Sequence, residues 1–162
     1  MSQVFYRYIR PVTFNTTRLE FETLATGGIC LRFEELSTTT LLFTYSRCHL
    51  EDHFNKKVAK AVADKRSEAA KLDDRLMSMM SIDTPLSMDT ASLIATVIKH
   101  CREWKPEPEE HLPIIHYLII EWQGFANALE NLNNVNLAQE RIGTVWKGVV
   151  NNLFQKTYSS TK

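Results

Sequence analysis

The sequence predicts an α+β protein: an N-terminal four-stranded antiparallel β-meander backed by a long helix, then a C-terminal helical part of about three helices. Three observations carry that expectation. Apolar and polar residues alternate through the first third of the chain, as in half-buried strands. After Ser46 the apolar period lengthens to about 3.6 residues, the spacing of an amphipathic helix. The turn-forming groups Asn15-Thr16-Thr17, Gly27-Gly28 and Ser37–Thr40 divide the early runs at hairpin distances.

Gln3–Arg10 is rich in aromatic and β-branched residues and stops at Pro11, which cannot donate to a sheet ladder. In Arg18–Thr26, Leu19 and Phe21 face one side and Glu20 and Glu22 the other. Gly27-Gly28 reads as a tight hairpin turn, because two glycines supply positive φ angles without steric cost. Ile29–Leu36 turns Ile29, Leu31 and Phe33 inward and Arg32 and Glu34 outward, and Leu41–Ser46 is evenly apolar, suited to a central position. Short turns between consecutive strands make the pairing antiparallel.

The first helix is expected over Glu51–Leu76, with Phe54, Val58, Ala61, Val62, Ala69, Leu72 and Leu76 laid on the sheet. Pro85 and the serines of Met77–Met88 interrupt the pattern. Ser87 or Asp89 caps a second helix that runs to Trp104 through Leu93, Ile94, Val97, Ile98 and Cys101. Lys105–Glu110, with two prolines and three glutamates, reads as a linker. A third helix covers Ile114–Leu132, Asn131–Asn136 reads as a loop, and a last helix spans Leu137–Phe154. The division falls between 1–76 and 77–162, as two units or one continuous domain.

Nineteen basic and nineteen acidic residues give a formal net charge of zero, without the basic excess of a dedicated nucleic-acid binder or the acidic excess of a DNA mimic. Cys30, Cys48 and Cys101 are odd in number and widely spaced, so neither a disulfide framework nor a Cys-x-x-Cys zinc ribbon is expected. The N-terminal run lacks an apolar signal core, and no stretch approaches the ~18 apolar residues of a membrane span. The expected setting is cytoplasmic, with free thiols, no cofactor and no membrane partner.

Four groups of residues bear on function. His49 and His53 would lie one helical turn apart, as two metal ligands can, which offers a metal-dependent hydrolase as one alternative. Their order is H-x-x-D-H, without the glutamate base of H-E-x-x-H. In the structural reading, Glu51 and Asp52 are simply acids favoured at a helix start. Lys56, Lys57 and Lys60 offer a phosphate-binding face, hence a nucleic-acid-binding regulator as a second alternative. Acidic neighbours at helical spacing and the lack of interleaved aromatics in that helix argue instead for a solvated face. The pairs Cys48–His49 and His100–Cys101 are sequence neighbours, which seldom face each other on a helix, so no nucleophilic dyad is expected. The fourth group is Trp104, Trp122, Phe125 and Trp146. The C-terminal helices are more apolar than a small bundle needs, and these aromatics are the expected partner-binding anchors, with a homodimer as one use of the excess surface.

Within residues 17–66, the residues Cys48, His49, Asp52, Phe54, Asn55, Lys56, Lys57, Ala59 and Ala61 follow the last strand. In this the chain resembles small bacteriophage-encoded accessory proteins, in which a Cys or Ser, an acid, Phe and paired basic residues precede a small-residue helix. The resemblance implies a phage setting and a role in disabling or redirecting a host protein, and it brings no catalytic residues. The leading expectation is therefore a non-catalytic accessory protein that binds and inhibits or modulates a host protein through an exposed apolar helical face.

Overall fold

The alternating N-terminal third forms strands, and the chain is an α+β protein. The computed structural model describes residues 3–72, 79–81, 89–103 and 112–160; for 79–81, 112–118 and 154–160 it describes the backbone. Strands β1 (Val4–Ile9), β2 (Val12–Asn15), β3 (Glu20–Thr23), β4 (Thr26–Glu35) and β5 (Thr40–His53) come first. Helix α1 (Lys56–Leu72), the short strand β6 (Met79–Ser81) and helices α2 (Thr90–Glu103) and α3 (Leu112–Ser160) follow.

The main sheet is antiparallel in the order β1-β4-β5-β6, and β2 and β3 form a separate two-stranded ladder. This corrects the expected meander. The Arg18–Thr26 run does not enter the sheet but folds back on Val12–Asn15, with Phe14 opposite Phe21. That leaves β1 to pair directly with β4, with Ile9 opposite Ile29. Gly27 and Gly28 also differ from expectation. They have φ angles of 77° and 149°, but they lie inside β4 rather than at a hairpin turn. There the register slips, so that Thr26 faces His53 while Gly28 faces Cys48. The slip leaves surplus β5 residues bulging from the ladder. A Cβ on Gly28 would lie 2.7 Å from the Phe54 ring and 2.9 Å from Arg10 Cδ, so glycine makes room for Arg10 to stack 4.0 Å above Phe54.

One face of the sheet presents Ile9, Ile29, Leu31, Phe33, Leu41, Phe43 and Tyr45. α2 covers it with Leu93, Ile94, Val97 and Cys101, and α3 with Phe125, Ala126 and Leu129, in one contiguous core. The sheet and the C-terminal helices thus share their main apolar contact. Asp89 caps α2, accepting from the Ser92 amide at 2.7 Å.

The opposite face carries the cross-strand rows Tyr6–Arg32–Thr44 and Tyr8–Cys30–Ser46. Arg32 and Glu34, expected to face water, are only 8% and 4% exposed. They lie beneath α1. Arg32 donates to Asp64 at 2.8 Å and to Ser67 at 2.6 Å, and Glu34 pairs with Lys71 at 2.8 Å. Tyr6 also donates to Asp64. Among the described residues no buried side-chain nitrogen or oxygen lacks a partner.

α1 sits on this face through Ala59, Ala63, Ser67 and Ala70, not through the larger apolar residues expected to pack there. Val58, Val62 and Leu72 face solvent. Small side chains bring the helix close enough for Ser46 Oγ to donate to the Ala59 carbonyl at 2.7 Å and Thr44 Oγ1 to the Ala63 carbonyl at 3.3 Å. The helix also starts later than expected. Asn55 accepts from the Lys57 and Val58 amides at 2.9 and 3.2 Å, and so caps a helix beginning at Lys56 rather than at Glu51.

The C-terminal part holds two helices among the described residues, not about three. The expected loop at Asn131–Asn136 is helical, and α3 runs without a break through it. Asparagine is a weak helix former, but tertiary contacts override propensity. Asn136 accepts from the Val12 amide at 3.2 Å and donates to the Arg10 carbonyl at 2.9 Å, tying α3 to the β1–β2 connection.

Arg32→Ala should lower unfolding free energy by roughly 1–3 kcal/mol in urea titrations, because it leaves the buried Ser67 hydroxyl without its donor and Asp64 without its cation. Burial opposes the charge on Asp64, but the hydrogen bonds from Tyr6 and Arg32 and the nearby Arg32 and Lys60 cations outweigh it, so this carboxyl titrates below 3.8. A lowered folded-state value gives stability that is complete above 3.8 and disappears as pH falls through the lower value. Asp64→Asn should therefore be less stable than the unmodified chain at neutral pH, and acid titration should narrow the gap.

Candidate interaction surface

α3 is anchored by aromatic packing. Helical spacing places Trp122, Phe125, Ala126 and Leu129 on one side of it. Phe125 stacks on Tyr45 with ring centroids 3.7 Å apart, and Trp122 meets Tyr45 edge-on at 5.5 Å and Phe43 at 5.8 Å. The Tyr45 hydroxyl donates to Glu121 at 3.3 Å; burial first, and then that carboxylate, push the phenol up to about 12.

These contacts sort the four aromatics expected to bind a partner. Phe125 is 3% exposed and Trp122 is half-buried, so both fasten α3 to the sheet rather than forming an open face. Trp104 lies outside the described residues. Trp146 is 41% exposed.

Trp146 belongs to a different constellation, in the second half of α3. The β2–β3 hairpin holds this half of the helix. The Phe14–Phe21 pair covers Gly143, where a Cβ would stand 2.5 Å from the Phe21 ring. From Thr144 to Leu153 every residue is exposed except the half-buried Val150. Val135, Ile142, Val145, Trp146, Val149 and Leu153 are 41–66% exposed. At about 100° per residue they fall within an arc of roughly 100°, centred more than about 100° from Phe125 and Leu129. The strip is about 27 Å long at about 1.5 Å per residue. Its side chains are all uncharged. The sequence already carried this signal in the apolar positions of the last expected helix, but emphasis on aromatic residues gathered Trp122 and Phe125 with Trp146.

The other predicted groups are not brought into a site. His49 and His53 lie in β5, not on a helix, and both are exposed where the register slips. Among the described residues no three His, Cys, Asp or Glu side chains are grouped to hold a metal. Burial pushes the Cys101 thiol up to about 12 and the Cys30 thiol up to about 11, which keeps both protonated and unreactive at neutral pH. Lys56 Nζ lies 5.0 Å over the Tyr8 ring and Lys60 Nζ 4.9 Å over Tyr6, while Lys57 is exposed. β1 thus supplies the aromatics that α1 lacks, with the lysines over their faces. Arg66 is held at the sheet, donating to the Tyr45 carbonyl at 2.9 Å. An open groove of about 530 Å³ between α2 and α3 is lined by residues including Ile94, Ile98, Arg102, Glu130 and Asn133, and among the described residues neither histidine nor cysteine lines it. Arg102 and Glu130 pair there at 2.7 Å.

The chain matches no protein-family model, no curated protein and no solved structure. Among the described residues no helix is long and apolar enough to cross a membrane, α3 included.

Phe125→Ala should cost about 3–5 kcal/mol of stability through the cavity it opens. Trp146→Ala should stay within about 0.5 kcal/mol of the unmodified chain, as exposed positions do. Thermal melts of the two variants separate the anchoring role from the surface role.

Proposed function

We propose that this protein is a non-catalytic interaction protein and that the distal apolar strip of α3 is its binding surface. The observation that supports this reading is the strip itself. Six apolar side chains stand 41–66% exposed in one arc of the helix. Contiguous apolar surface of this kind marks protein contact sites. Trp146 is the natural central anchor, flanked by Ile142 and Val149, and binding would work by covering part of a partner's surface. The resemblance to phage accessory proteins supports a host protein as that partner, inhibited or modulated in the host cytoplasm. A second copy of the chain is the other partner that suits the surface.

The nucleic-acid reading through Lys56, Lys57 and Lys60 is less well supported, because two of these cations already lie over tyrosine rings and the chain carries no net positive charge. The metal-dependent reading through His49 and His53 has no ligand group to rest on among the described residues.

Affinity capture from host lysate with the full chain tests the proposal. A stoichiometric partner should be recovered by the unmodified chain and by Lys57→Glu, and lost with Ile142→Asp. Recovery of no such partner, or equal recovery by Ile142→Asp, would sink it. Binding of random DNA that weakens steeply with salt and is lost in Lys57→Glu would favour the regulator instead.

A further inference from the structure

We infer that the outer edge of β1 takes up an extended acidic peptide as an added strand, with carboxylates at every second position facing Lys56 and Lys60. This surface is independent of the α3 strip and suits a partner segment of different chemistry.

The backbone supplies the template. β1 ends the sheet order β1-β4-β5-β6, and among the described residues no strand pairs with its outer side. The Glu35 amide donates to the Gln3 carbonyl at 2.8 Å, which makes Gln3 and Glu35 a hydrogen-bonded pair. Such pairs alternate along an antiparallel ladder. Phe5, Arg7 and Ile9, in unbroken register with Phe33, Leu31 and Ile29, therefore spend their amides and carbonyls on β4. Val4, Tyr6 and Tyr8 turn theirs outward. The Tyr6 carbonyl accepts from Arg7 Nη1 at 3.0 Å, and it keeps a second lone pair for an incoming amide. An open edge of this kind accepts a further strand.

The cations set the chemistry of the added strand. Lys56 Nζ and Lys60 Nζ stand over the Tyr8 and Tyr6 rings at 5.0 and 4.9 Å. The two lysines are about 6 Å apart along α1, and two residues of strand span about 6.6 Å. Peptide side chains beside Tyr8 and Tyr6 point to the same face as those rings, so they meet the two ammonium groups in step. The residue between them points to the opposite face, where Arg7 lies 5.0 Å over the Phe5 ring. Nearby acids leave this charge in place. Asp64 is engaged by Arg32 and Tyr6, Glu34 pairs with Lys71, and Glu68 is exposed two turns beyond Lys60.

Charge also decides against other occupants. A second copy pairing through its own β1 would bring Arg7, Lys56 and Lys60 close to their counterparts, and like charges across a strand pair are unfavourable. A nucleic-acid strand needs open rings on which its bases stack, and here a lysine stands over each tyrosine.

Titration of the full chain with the synthetic peptide Val-Glu-Val-Glu-Val-Glu-Val, followed by residue-resolved amide hydrogen exchange, tests this. Binding should saturate and protect the Val4, Tyr6 and Tyr8 amides, while the Phe5 and Arg7 amides, already bonded to β4, stay as they were. An isomer with its three glutamates consecutive should bind more weakly. Lys56→Glu combined with Lys60→Glu should weaken binding about tenfold. Lys65→Glu, at an exposed position on another side of α1, should bind as the unmodified chain does. An unchanged near-ultraviolet spectrum in each variant shows that the fold is intact. No saturable binding at about 1 mM peptide, equal binding of the isomer, or full affinity in the double variant overturns the proposal, as does binding without protection of the three amides. Protection of those amides without peptide, in step with a doubled mass, overturns it in favour of self-pairing. Tighter binding of oligothymidylate, lost in the double variant, overturns it in favour of nucleic acid.

Discussion

The fold depends on how one guanidinium is satisfied. Arg32 lies in β4, flanked on both sides by strands, and its side chain cannot escape sideways to water. Arginine stays protonated, so the charge must be met where it stands. Asp64 and Ser67 meet it from α1, and Glu34 lies close by in the same strand. These partners place the helix over this face at one height and one rotation. With α1 committed there, the fully apolar face is left to α2 and α3. The three-layer order follows from a polar requirement on one side and a hydrophobic one on the other. A buried ion pair is weak evidence for stability, but it specifies an arrangement, because a shift of α1 by one residue would leave both Arg32 and Glu34 unmatched.

Much of the fold was legible because periodicity reports which faces are buried. Ile29, Leu31 and Phe33 lie in the core as alternation required, and Leu93, Ile94, Val97 and Cys101 form the buried side of α2. The departures share a cause: local signals have more than one use. Two glycines signal positive φ, and a bulge uses it as well as a turn does. Asparagines between apolar runs signal a loop, but Asn136 spends its amide on the β1–β2 backbone and the helix continues. The rotation of α1 was misjudged because bulk was equated with burial. A helix that must come near a polar sheet face buries its smallest side chains, and no helical period distinguishes Ala59 and Ala63 from Val58 and Val62.

The candidate surface was legible in part. The excess of apolar residues in the C-terminal helices was plain, and Trp146 does stand exposed. Whether a tryptophan or phenylalanine anchors or projects depends on what lies opposite, and Phe125 lies opposite Tyr45, about 80 positions earlier in the chain. No local pattern contains that pairing. The histidine reading failed at the level of secondary structure: a four-residue interval has meaning for a metal on a helix, and the segment is strand.

The β2–β3 hairpin has a consequence for how the distal helix is aimed. α3 is gripped at the sheet through Phe125 and Leu129 and again at Gly143, about four turns further on. Both grips fix the same rotation, so the direction in which the apolar strip looks is written in the number of residues between them. One residue gained or lost in that interval would swing everything beyond it by about 100°. Exposed positions along the intervening turns can change, whereas Asn136, which ties the helix to the β1–β2 backbone, and the length of the interval cannot. The glycine under the two phenylalanines acts as an index mark, converting a continuous helix into a pointer with a set bearing.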